Sequence, residues 1–246
     1  MEHMSLEQKE TQVKSYFQNV IMGYLACDIH TLLNSELDAK REGGCTAPLA
    51  MTVFSAMNQL GYLTSRKNTD EIVKEARTEE CIKEFCNDWM KRVDPENYRK
   101  STIQEIMVSF FRHGLAHQFI SIALSGITRD PKQGALISVY TNHDGSKSYV
   151  LQAKLLAQDF IKALDLLDKK IHTAKENDPD FLLRFYQRLY EQRQKHLNNN
   201  QSLFQKADRN FPTMANKLGT YTTKTSTPII SGEVSITKDG SLDFSE

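Results

Sequence analysis

The chain has no net charge: Lys and Arg together number 31, and Asp and Glu also number 31. A balanced chain lacks the global positive field of a dedicated duplex-DNA binder, although a local basic cleft stays open to it. It also has no apolar run near the roughly 18–20 residues that span a bilayer. The stretch Met1–Gln12 is charged and has no apolar centre of the kind a secretory leader carries. A cytoplasmic protein with no membrane partner is the expectation. Cysteine is scarce, with Cys27, Cys45, Cys81 and Cys86 and no Cys-x2-Cys pair. That spacing fits no common zinc pattern, so reduced, buried thiols behaving as small hydrophobes are expected. A Gly-x4-Gly-Lys phosphate loop, a Gly-x-Gly-x-x-Gly turn and a Gly-x-Ser-x-Gly nucleophile elbow are all missing.

What is present is ordinary for a globular chain: 246 residues, 25% charged and 39% apolar. That length suits one large domain, or a domain with an appendage. Apolar residues recur at helical spacing in residues 5–22 (Val13, Tyr16, Phe17, Val20, Ile21) and again in 24–40 (Leu25, Ile29, Leu32, Leu33, Leu37). Gly43-Gly44 stops that pattern, and Pro48 suits the first turn of a helix through Met51, Phe54, Met57 and Leu60. A charged helix is expected over about 70–92, then a turn at Asp94-Pro95. The next helix starts near Ser101 or Thr102, which offer capping groups. Its stripe runs Ile103, Ile106, Met107, Phe110, Phe111, Leu115 and Phe119.

The period then changes. Ala135–Tyr140 and Ser148–Leu151 are β-prone and flank Asn142-His143-Asp144-Gly145, a strong hairpin signal. Helices of about 153–172 and 178–197 follow. The predicted fold is therefore mainly α: an antiparallel helical bundle over 1–197, with a β-hairpin insertion at about 134–152 that lies outside the core. Residues 198–246 read as a polar, partly extended tail with β-prone pieces near Pro228–Ile230 and Val234–Ile236. The tail offers strands that could pair with the hairpin's edge or with a neighbouring subunit.

One helix carries a cluster that ordinary packing does not call for. Arg112-His113-Gly114-Leu115-Ala116-His117 puts one guanidinium and two imidazoles on an apolar helix. Such groups are costly to bury unpaired, so the cluster belongs at a cleft or an interface. The chemistry suits phosphodiester cleavage. A histidine titrating near neutral pH exchanges a proton, and a planar guanidinium matches phosphate oxygens. The pair could activate a ribose 2′-hydroxyl and offset charge developing at phosphorus. On a regular α-helix, however, residues five apart sit about 140° apart around the axis, so Arg112 and His117 do not share a face, whereas His113 and His117 do. Arg112 reaches round, Gly114 loosens the helix, or a second subunit completes the site. With 11 Arg and 7 His in the chain, the bare Arg-x4-His spacing is a weak signal, which a partly exposed helix end with a capping histidine would also give.

The fuller string, with Phe110-Phe111 before it and Gln118-Phe119 after it, resembles the signature of the HEPN superfamily (higher eukaryotes and prokaryotes nucleotide-binding domain). That signature is Arg, a polar residue, three more residues, then His, and the similarity extends over roughly residues 5–175. The resemblance implies a helical bundle that dimerises. It also implies a metal-independent endoribonuclease acting on RNA, of the kind found in toxin–antitoxin, phage-defence or RNA-processing systems, with an antitoxin or regulatory protein as a further partner. Arg112 and His117 then match the family's catalytic pair. His113 stands at the polar position that orients the site, where Asn is commoner. No cofactor and no metal are implied.

Two other readings compete. A non-catalytic HEPN-like module would use the same residues to bind nucleotide, RNA or protein without cutting. A metal site could use His113 and His117, four apart, with a third ligand from His30, His143 or His172. Their blander readings are a satisfied core or boundary residue for His30, a solvated turn for His143, and cations near helix ends for His172 and His196. The run Arg184, Arg188, Arg193 and Lys195 reads as a solvated face and, if RNA binds, as the first place for phosphate contacts.

Overall fold

The structure, a computed structural model, describes residues 4–35, 45–67, 78–112, 115, 125–129, 134–210, 233–236 and 242–245. The first helix starts at a capping box: Ser5 Oγ accepts from the Gln8 amide at 3.2 Å, and Gln8 Oε1 accepts from the Ser5 amide at 2.9 Å. α1 (Leu6–Tyr16) runs through a π-wound stretch (Phe17–Ala26) into α2 (Cys27–Asn34) without a break. The two periodic segments of the sequence are thus one long helix. Val13, Phe17, Ile21 and Ile29 are its buried stripe.

α3 (Thr46–Thr64) buries Leu49, Val53, Met57, Leu60 and Leu63, and packs against α4 (Thr78–Phe85). Backbones approach very closely there: a Cβ placed on Gly61 would lie 1.8 Å from the Cys81 carbonyl oxygen. After α4 come a second π-wound stretch (Cys86–Met90), α5 (Lys91–Val93) and α6 (Pro95–Tyr98). Asp94 caps α6, accepting from the Asn97 amide at 3.1 Å. α7 (Ser101–Ile106) has Lys100 as its N-cap with no side-chain capping bond, so the expected Ser101 or Thr102 cap is not used. A third π-wound stretch (Met107–Arg112) continues α7.

Two long helices close the bundle, α8 (Ala153–Asn177) and α9 (Pro179–Asn210), joined by Asp178 alone. Asp178 accepts from the Phe181 amide at 3.1 Å and from Lys170 Nζ at 2.7 Å, and the Lys170 hydrogen bond holds its carboxyl below the usual range. Partners run in opposite order along neighbouring helices. Lys175 of α8 meets Glu7 of α1 at 3.1 Å, and Asp168 of α8 meets Gln18 of the π-wound stretch after α1 at 2.6 Å. On α3 and α9, Gln59 and Gln192 pair reciprocally at 2.7 and 2.8 Å. α9 continues thirteen residues past the end expected at about 197, to Asn210. The Asn198-Asn199-Asn200 run that suggested a boundary lies within it, and the Asn200 side chain bonds the His196 carbonyl at 2.8 Å.

The β region is larger than a hairpin. β2 (Ile137–Thr141) pairs antiparallel with β3 (Lys147–Gln152) around a turn in which Gly145 takes φ +81°, the left-handed conformation Asp-Gly signals. β1 (Ser125–Thr128) adds a parallel strand on the other side of β3, giving the order β1-β3-β2. The sequence reading placed the hairpin outside the core. Instead, Leu136 and Leu151 are fully buried and belong to the one hydrophobic cluster that includes α1, α3 and α8. In the tail, β4 (Glu233–Ile236) pairs antiparallel with β5 (Leu242–Ser245), while 228–230 lies outside the described residues. No helix among the described residues is long and apolar enough to cross a membrane.

Candidate functional site

Arg112 ends the third π-wound stretch. The residues leading to it pack by their apolar faces: Met107, Val108 and Phe111 are buried, as is Leu115 four residues beyond Phe111. Arg112 itself is half-buried. Its helix is braced from the sheet side, where the Phe110 ring lies 5.4 Å from that of Tyr149 on β3. The apolar side of the segment is thus fixed in the core, with Arg112 half-buried at its end. His113 and His117 lie outside the described residues, as do Gly114 and Ala116.

The three histidines considered as a third metal ligand are all exposed, on separate elements: His30 on α2, His143 in the β2–β3 turn and His172 on α8. His30 is thus a solvent-facing residue and not a boundary one. His172 lies five residues before the end of α8, and its Nδ1 is 3.0 Å from the Asp168 carbonyl oxygen one turn back. His196 is mid-helix in α9. Among the described residues no group of three His, Cys, Asp or Glu is placed to hold a metal ion. The thiols divide: Cys81 and Cys86 are buried, Cys45 is half-buried and Cys27 is exposed. Burial pushes the Cys86 thiol up to about 12.

The cationic face expected on α9 is broken at Arg188, which is 2% exposed. Its guanidinium donates to the carbonyls of Tyr62 at 2.7 Å and Ser65 at 2.6 Å and to that of Lys67, and lies over the Tyr62 ring at 5.8 Å. These carbonyls sit at or just past the C-terminus of α3, where helix geometry leaves acceptors without intrahelical donors and the dipole favours a cation. Arg188 is a cap supplied from another helix and is unavailable for phosphate. The sequence did hold the sign: Phe181, Phe185 and Arg188 share the i, i+4, i+7 stripe that faces the core. Arg184 is half-buried, and Arg193 and Lys195 are exposed and remain open to an anionic partner.

Arg129 repeats the device. It is 6% exposed and donates to Ser35 Oγ at 3.0 Å and to the Leu33 carbonyl at 2.5 Å, at the C-terminus of α2. A further buried polar pair joins α6 to α8, where Tyr98 donates to Asp159 Oδ2 at 3.2 Å. Burial pushes the pKa of both groups up. Neither pair was visible as such in the sequence. Compared with family models, curated proteins and solved structures, the chain finds no match in any of the three.

Proposed function

We propose that the chain is a HEPN-type, metal-independent endoribonuclease that works as a homodimer, in a toxin–antitoxin or phage-defence setting. The carrying observation is the string Arg112-His113-Gly114-Leu115-Ala116-His117, entered by a helix whose apolar side is locked in the core while Arg112 is at its margin. The mainly α fold over the stretch of the resemblance supports the reading.

In the reaction, His117 removes the proton of a ribose 2′-hydroxyl and the new O2′–P bond displaces the 5′ oxygen, which takes a proton in turn. Arg112 binds the non-bridging phosphate oxygens and offsets their growing charge. His113 orients the pair. The products carry 2′,3′-cyclic phosphate and 5′-hydroxyl ends. Arg112→Ala and His117→Ala should each lower cleavage by at least about a hundredfold, the usual scale for one catalytic group, while RNA binding and dimerisation persist. A wild type that binds RNA and cuts none would move the reading to a non-catalytic binding module.

A further inference from the structure

Among the described residues, no strand pairs with the outer edge of the sheet. β2 is terminal in the order β1-β3-β2, and its sequence Ile137-Ser138-Val139-Tyr140-Thr141 has no charge and no proline to discourage pairing. Val139 and Tyr140 are 55% and 44% exposed, among the most exposed large apolar side chains described. The Gln152 amide donates to the Leu136 carbonyl at 2.8 Å and the Asn142 amide to the Ser146 carbonyl at 2.8 Å. Alternation along an antiparallel ladder then turns the amides of Ser138 and Tyr140 toward β3, and those of Ile137, Val139 and Thr141 outward.

The tail has the complementary deficit. β4 and β5 form a two-stranded ribbon, which alone is marginal in water and gains stability from a third strand or a packed face. The register pairs Val234 with Phe244 and Ile236 with Leu242, so these four positions share one face of the ribbon. β2 carries no charge to oppose Glu233 and Asp243, the charged residues within β4 and β5. Reach is ample: 22 residues separate Asn210 from Glu233, and a chain of that length extends up to roughly 75 Å.

We infer that the β4–β5 ribbon, a separate two-stranded sheet in this structure, docks on the β2 edge of its own chain and extends the three-stranded sheet. Val139 pairs with Tyr149, and the Tyr149 ring meets Phe110 two residues before Arg112, so a docked tail braces the sheet against the helix of the candidate site. The docking does not depend on the ribonuclease reading.

Hydrogen exchange of the full chain resolved to single amides tests it, with Val234→Pro and Phe244→Pro combined as the variant, since proline removes a ladder donor and disrupts strand pairing. In the wild type, the Ile137, Val139 and Thr141 amides should exchange at least about tenfold more slowly than in the variant, while Ser138 and Tyr140 stay protected in both. Outward amides that exchange freely in the wild type would overturn the docking. So would protection that survives the two prolines. Protection that fades on dilution would assign the edge to a second copy's tail and overturn docking within one chain.

Discussion

Arg188 and Arg112 carry the same guanidinium to opposite ends of what this fold can do with one. Arg188 enters the core from α9 and donates to three carbonyls at or just past the end of α3, with 2% of its surface exposed. Arg112 stays half-buried at the end of a π-wound stretch whose neighbours Phe111 and Leu115 are buried. The difference lies in the acceptors. A helix C-terminus supplies several carbonyls at fixed positions, so a buried cation there can be satisfied without a carboxylate. Arg129 at the end of α2 is a partial version, with one carbonyl and the Ser35 hydroxyl as acceptors and its buried Nε unpaired among the described residues. Burial of charge is therefore a structural device in the helical body, whereas at the motif the apolar residues carry the packing and the arginine is half-buried beside them.

The largest effect should come from breaking the cap. Arg188→Met keeps the volume but leaves buried carbonyls without donors, and should cost about 3–5 kcal/mol by denaturant midpoint. Arg112→Ala, measured alongside, should cost less, about 1 kcal/mol, the ordinary scale of a single substitution. Equal losses would erase the contrast between the two arginines.

Gly61→Ala probes the same body from the packing side. The new methyl meets the Cys81 carbonyl backbone, so α3 and α4 must separate, at about 2–3 kcal/mol. An unchanged midpoint would show that the helices are not so close.

The smallest effect at neutral pH, and a growing one in alkali, concerns Cys86. Its folded pKa of about 12 lies above the ordinary 9.0, because burial disfavours the thiolate. The unfolded chain releases this proton first as pH rises. The contribution is therefore fully present below about pH 9 and lost between 9 and 12. Tyr98, also raised by burial, acts in the same direction above its ordinary 10.0. Cys86→Ala should flatten the fall in midpoint above pH 9. In native protein a thiol reagent should modify exposed Cys27 quickly and leave Cys86 unmodified.

Much of the fold was legible because its signals are local. The 3.6-residue stripe located the helices and most of the core, and Asp144-Gly145 located the hairpin turn. What escaped was set by partners distant in sequence. β1 lacks a period of its own over Ser125–Thr128 and becomes a strand by pairing with β3. The hairpin counts as core because Leu136 and Leu151 meet the helical cluster. Arg188 looked like one cation in a solvated run, and its role depends on carbonyls more than a hundred residues earlier. The end of α9 was placed early because the composition turns polar at Asn198-Asn199-Asn200-Gln201, yet the helix runs on through all four. Of the candidate site, the residue types and the buried face around Arg112 could be read from the sequence.

The decisive measurement is an RNA cleavage assay in excess chelator with the product ends determined. The account predicts cleavage that persists without metal, leaves 2′,3′-cyclic phosphate and 5′-hydroxyl ends, and disappears in Arg112→Ala and in His117→Ala. Cleavage that requires a divalent ion and leaves 5′-phosphates, or that survives both substitutions, would contradict it.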